Sequence, residues 1–255
     1  MSGTPRIKAA AIHLGLTALV IVAVGVSGAV TWYPPNFAQA TGGLRLFGIL
    51  VIVSICLGPL LTLTVFDARK RSLPFDLAMV VLLQLLALTY GLYTMFLFRP
   101  VFVVFTIDRF ELVTAADIPA DELARAKRDE FKALPLMGPK IIAVQMPTNA
   151  GERTKILFSA LVSGVDLQHY PKNYIPYSEM SAEASRKALP VSQLMERDSE
   201  AYRTLSAYLE SKKLERSNVK FLPLRAKKHD QTVLLDSATG EVLGIVNVWP
   251  WREPP

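Results

Sequence analysis

The pattern of apolar and charged positions changes character once along the chain. Residues 9–44 contain no Asp, Glu, Lys or Arg, and neither do 46–66 or 77–98; beyond residue 99, charges recur at ordinary intervals. Three charge-free apolar runs, Ala9–Thr31, Leu46–Phe66 and Leu77–Phe98, each reach the roughly 20 residues a helix needs to cross a bilayer. Helices are expected because hydrocarbon offers the backbone no hydrogen-bond partner. Trp32, Tyr33, Phe47, Phe66, Phe75, Phe96 and Phe98 stand near the run ends, where an interfacial belt places aromatic rings. Pro59 after Gly58 predicts a kink in the second helix, with Ser54 placed to take up a freed backbone group. Ala38-Gln39-Ala40 has the form of a signal-peptide cleavage site. The 23-residue run before it exceeds the apolar core of such a peptide, about 7–15 residues, so retention as an anchor is expected.

Residues 99–255 alternate in the manner of a folded domain large enough for its own core. Val101–Ile107 and Phe110–Val113 read as strands, and Lys140–Gln145 as a short one. Asp117-Ile118-Pro119 opens an expected helix to about Lys132. Thr148 is the expected cap of a helix to about Val162, with Ile156, Leu157, Ala160 and Leu161 at core spacing. The HYPKNYIPY segment is expected to be irregular. Ser178–Ala188 and Glu196–Leu214 follow as helices, the second with Ala201, Leu205, Tyr208 and Leu209 as its apolar stripe. Val219–Leu224, Thr232–Leu235 and Val242–Val248 read as strands, the last two joined by a turn at 236–240. The reading is three transmembrane α-helices (9–31, 46–66, 77–98) in a 1–98 anchor, followed by an extracytoplasmic α+β domain over 99–255.

Composition adds direction. The chain has 255 residues, 51% hydrophobic, with 28 basic and 22 acidic side chains. Before residue 99 stand six basic residues and two acidic ones; after it the two signs nearly balance. Arg6, Lys8, Arg69, Lys70 and Arg71 flank one side of the spans and Arg45 the other. The positive-inside rule therefore puts the N-terminus and the 67–76 loop in the cytoplasm and 99–255 across the membrane. The basic excess reads as orientation, and no nucleic-acid partner is expected.

Several chemistries find no footing. The chain lacks a Walker A motif, a dinucleotide fingerprint, H-E-x-x-H and G-x-S-x-G. Its three histidines, His13, His169 and His229, have no ligand spacing, so no metal is expected. One cysteine, Cys56, lies mid-span in apolar sequence, where a thiol is inert. No enzyme, cofactor or small-molecule substrate is expected. Asp108 and Glu111 beside Arg109 are the nearest approach to a catalytic cluster, and strand-surface ion pairing accounts for them.

The strings LGPLLTLTVFD (57–67), KRSLPFDLAMVVLLQLLALTYGLYT (70–94), RPVFVVFTIDRFELVTAADI (99–118) and FLPLRAKKHDQTVLLDSATGEVLGI (221–245), with Trp249-Pro250-Trp251, resemble the TfpX/TfpZ type of type IV pilin accessory protein. The resemblance is strongest over 40–118 and weaker over 119–218. It implies a non-enzymatic helper in the bacterial inner membrane that binds or stabilises the major pilin before fibre assembly. It also implies a periplasmic position for the domain, in reach of a pilin's membrane helix and head. Two other classes remain open: an extracytoplasmic sensor, against which the short cytoplasmic segments count, and a membrane-bound transferase acting on pilin or glycan. Which pilin is served, and the oligomeric state, are not fixed by the residues.

Gln84, Ala87, Gly91 and Thr94 fall on one face of the third span, small and polar as helix contacts in lipid require. Ala23, Ser27 and Thr31, and Gly25 with Ala29, make similar faces on the first. His13 and Gln84 lie at similar depth, and pilins of the resembled family's clients carry a glutamate near the start of their membrane helix. His13 or Gln84 is the candidate partner for that carboxyl, with packing inside the bundle the alternative. Tyr170, Tyr174 and Tyr177 are candidate periplasmic contacts, or else cover the domain's own core. Arg225, Lys227, Lys228 and His229 read as a solvated hairpin tip, or else as a patch facing anionic lipid or an acidic protein.

Overall fold

The computed structural model describes residues 3–251. Three helices are long and apolar enough to cross a membrane: α1 (Gly3–Thr31), α3 (Gly43–Val65) and α4 (Leu73–Leu97). Each extends the apolar run at its N-terminal end; in α4 the added first turn holds a proline, which is compatible with helix there. Pro59 lies inside α3. Between α1 and α3 stands a short helix that the hydrophobic pattern does not announce, α2 (Pro35–Thr41). It starts on a proline and ends at Gly42, whose φ of +82° suits glycine.

The rest of the chain builds one eight-stranded mixed sheet in the order β4-β3-β1-β2-β6-β7-β8, with β5 on the same edge of β6 as β2. The strands are β1 (Pro100–Phe105), β2 (Phe110–Thr114), β3 (Lys140–Val144), β4 (Tyr174–Pro176), β5 (Leu189–Pro190), β6 (Val219–Arg225), β7 (Gln231–Asp236) and β8 (Val242–Val246). Pairings β1–β3 and β2–β6 are parallel; the others are antiparallel. Strand β1 is buried throughout because both sheet faces are covered. Phe102 and Val104 point to a core with Ile142, Val144, Ile156 and Tyr174; Val103 and Phe105 point to the other, with Leu222, Leu224, Val233 and Leu235. A third cluster joins Phe221 and Leu234 to α8 (Val191–Met195) and α9 (Ser199–Lys212) through Leu194, Leu205 and Leu209. The stripe expected on α9 is the one buried.

The helix expected over 117–132 breaks into α5 (Ala120–Ala124) and two 3₁₀ turns. Ile118, Ala126 and Phe131 all enter the same core. At about 100° per residue a continuous helix would put Ala126 and Phe131 roughly 80° and 220° from Ile118, so it could not bury all three. The next helix, α6 (Ala150–Ser163), is capped by Asn149, whose Oδ1 accepts from the Glu152 N–H at 3.2 Å, and not by Thr148. Only Ile156 of its expected core positions is buried; Leu157, Phe158, Leu161 and Val162 are 63–84% exposed. Helix α7 (Ser181–Lys187) is shorter than the run 178–188 suggests.

Soluble part and membrane helices are joined at several points. Arg99, between α4 and β1, is buried, its guanidinium 3.7 Å from the Phe96 ring centre. Ala40 and Phe37 of α2 pack into the sheet's second core. Asn36 Nδ2 donates to the Ile245 carbonyl at 2.6 Å, and Gln231 Nε2 to the Asn36 carbonyl at 2.6 Å.

Candidate functional site

Helix α3 is the middle of the bundle: α1 and α4 pack along it rather than on each other. Between α1 and α4 runs a groove of about 480 Å³. Its rims are apolar and outward-facing, with Ile12, Leu16 and Val20 on α1 and Val81 and Leu85 on α4, each 44–65% exposed. Its floor is polar.

Four side chains from three helices are bonded there. His13 Nδ1 lies 2.7 Å from Thr62 Oγ1, and His13 Nε2 lies 2.7 Å from Gln84 Oε1. Gln84 Nε2 donates to Thr17 Oγ1 at 2.8 Å and to the Ser54 carbonyl at 3.4 Å. Thr62 Oγ1 in turn donates to the Gly58 carbonyl at 2.9 Å. The approach requires Gly58: a Cβ there would stand 2.8 Å from His13 Nε2 and collide with the Gln84 amide. Ser54, 3% exposed and lining the same groove, has no hydrogen-bond partner for its hydroxyl among the described residues. In hydrocarbon an unpaired hydroxyl is costly.

His13 and Gln84 are thus brought together, and each is engaged within the bundle. In the remainder of the α4 stripe, Gly91 is pressed against Leu50 of α3, Ala87 is half-buried, and Thr94 bonds the Tyr90 carbonyl in its own helix. On α1, Gly25 meets Phe47 of α3, whereas Ala23 and Ser27 face outward. Thr17, Gly58 and Thr62 are members that single-helix reading passes over. Their signal is the spacing: His13-Thr17 is i, i+4, and Ser54-Gly58-Thr62 is i, i+4, i+8.

The tyrosines turn inward. Tyr174 is buried among Phe102 and Phe131 and donates its hydroxyl to the Gln168 carbonyl. Tyr177 packs on Phe105 and Phe110 and donates to the Gly240 carbonyl at 2.6 Å; Tyr170 Oη bonds Ser159 Oγ at 3.1 Å. Burial raises the pKa of the Tyr174 and Tyr177 phenols, which stay protonated donors. Arg109 bonds Glu111 at 2.9 Å and lies 3.7 Å from Asp108, an ion-paired strand end. Burial holds the Glu111 carboxyl above the usual range, against the pull of Arg109. No cluster of metal-ligating side chains occurs among the described residues. Cys56 is exposed on the bundle surface.

The chain is 30% identical over 235 residues, 90% of each sequence, to the fimbrial assembly proteins of serogroups E1 and I of Dichelobacter nodosus. It is 34% identical over 123 residues to that of serogroups C1 and C2, covering 47% of this chain and 92% of that one. No family model matches, and no solved structure does.

Proposed function

Because the chain belongs to the fimbrial assembly protein family, we propose that it is a non-enzymatic accessory of type IV pilus assembly that binds the major pilin in the inner membrane before it enters the fibre. The groove between α1 and α4 takes the pilin's apolar helix, and its polar floor receives the glutamate near that helix's start. The observation that carries this reading is the unpartnered Ser54 hydroxyl beside the His13–Gln84–Thr17–Thr62 network, in a groove whose rims face lipid. A carboxyl arriving there accepts from Ser54 and is withdrawn from hydrocarbon, where it is expensive.

The orientation that fits this role is the one the basic residues favour, with the N-terminus and the 67–76 loop cytoplasmic and 99–255 periplasmic. The outward apolar face of α6, Leu157, Phe158, Leu161 and Val162, is then the surface offered to the pilin head. The test is photo-crosslinking from membranes that contain pilin, with the probe placed at Leu16 or Leu85 on the groove rims and at Ile52 or Leu60 on the outer side of α3. Pilin adducts are expected from the first two positions and not from the second two. Absence of adducts from both rims defeats the proposal.

A further inference from the structure

At the opposite end of the bundle from Arg69 and Lys70, a second groove, of about 590 Å³, lies between the first turns of α3 and the β6–β7 hairpin loop. The loop is not a free tip. Lys228 N–H donates to the Ala40 carbonyl at 3.0 Å, and the Lys228 stem packs on Gly42, so the hairpin rests on the α2–α3 junction. The groove therefore sits where two transmembrane helices end, at Gly43 and Leu97.

Its lining is of two kinds. Leu46, Ile49 and Phe98 form an apolar wall along the helices. Arg45, Lys228 and His229 line the mouth, all exposed and none with an ion pair among the described residues. Neighbouring carboxylates are committed elsewhere. Asp117 is paired with Lys227; burial works to raise its pKa, but the Lys227 and Thr114 hydrogen bonds outweigh it and hold it low. Asp230 accepts from the Ala226 N–H at 2.8 Å and from Trp251 Nε1 at 2.6 Å. The first turn of α3 closes on the chain itself here, the Arg45 and Leu46 amides both donating to the Gly42 carbonyl. The unpaired Arg45 and Lys228 heads, the His229 ring beside them and an adjoining wall of hydrocarbon match a phosphate attached to acyl chains.

We propose that this groove binds an anionic glycerophospholipid of the adjoining leaflet, its phosphate held by Arg45, Lys228 and His229 and its acyl chains lying on Leu46, Ile49 and Phe98. The site stands apart from the groove between α1 and α4 and does not depend on what that one takes.

The full chain, purified in neutral detergent and delipidated, is offered phosphatidylglycerol or phosphatidylcholine of equal chain length, and bound lipid is read by native mass spectrometry. A preference for phosphatidylglycerol of at least roughly fivefold is expected, about the contribution of one basic residue at an anionic surface. It should fall to near unity in R45Q/K228Q/H229Q and persist in R69Q/R71Q. An unchanged preference in the triple variant overturns the proposal. So does full displacement of phosphatidylglycerol by millimolar inorganic phosphate, which would mark a soluble-anion site. Should the triple variant not fold, Arg45→Gln alone, at an exposed side chain, is expected to lower the preference measurably; no change there counts equally against the site.

Discussion

At the scale of single residues, the groove floor separates roles that usually coincide. Ser54→Ala removes a buried hydroxyl that has no partner, so the isolated protein should lose no stability and gain up to about 1–3 kcal/mol in denaturant titration. The same change should reduce pilin crosslinking from Leu16, whereas a residue that only packed the bundle would show the reverse. Gly58→Ala pushes a methyl between His13 and Gln84 and is expected to cost about 1–3 kcal/mol, like other overpacked cores. His169 gives a pH signature. Burial lowers its pKa, while the unfolded ring titrates near its ordinary value of about 6.5. Its contribution to stability is therefore complete above about pH 6.5 and is lost as pH falls below it, since the unfolded state then takes up a proton that the folded state refuses. Denaturant midpoints should drop between pH 7 and pH 5, and His169→Gln should flatten that slope. Glu111, held high by burial, works with the opposite sign, so the difference between the two proteins is the quantity to measure.

At the scale of elements, what could be read from sequence depended on where each pattern's partner lay. The spans were legible because a charge-free run carries its own reason to be helical, and α9 because its stripe meets a core along its whole length. Helix α2 was not, since its seven residues are held by groups about two hundred positions away, such as the Ile245 carbonyl and Gln231. The polar floor was half legible: His13 and Gln84 stand out in apolar runs, but only the bundle shows that they meet each other and Thr62. The tyrosines read equally as surface or core, and nothing in their spacing tells which. Helix α6 carried a misleading pattern. Its Leu157 and Leu161 fall at core spacing, yet the sheet receives only Ile156. Accordingly Ile156→Ala should cost about 2–5 kcal/mol. Leu161→Glu, at a site 84% exposed, should stay within about 0.5 kcal/mol, measured by urea unfolding.

At the scale of the whole molecule, orientation is open to a direct chemical assay. In a Cys56→Ala background, Thr239→Cys, in the exposed β7–β8 turn, should react with an impermeant maleimide added to intact spheroplasts. Arg71→Cys should react only after the membrane is opened. Labelling in the opposite sense would reverse the sidedness drawn from the basic residues.

The joint between α4 and β1 consists of only Phe98 and Arg99, the latter buried against Phe96, and α2 clamps the sheet from the other side. Under the proposed function, a two-point fixture of this kind would act as a caliper. Under the same proposal the groove between α1 and α4 and the outer face of α6 are carried on one frame, so a client touching both would be gauged by the distance between its own membrane helix and its folded head. Inserting residues into that joint would change the gauge without altering either jaw.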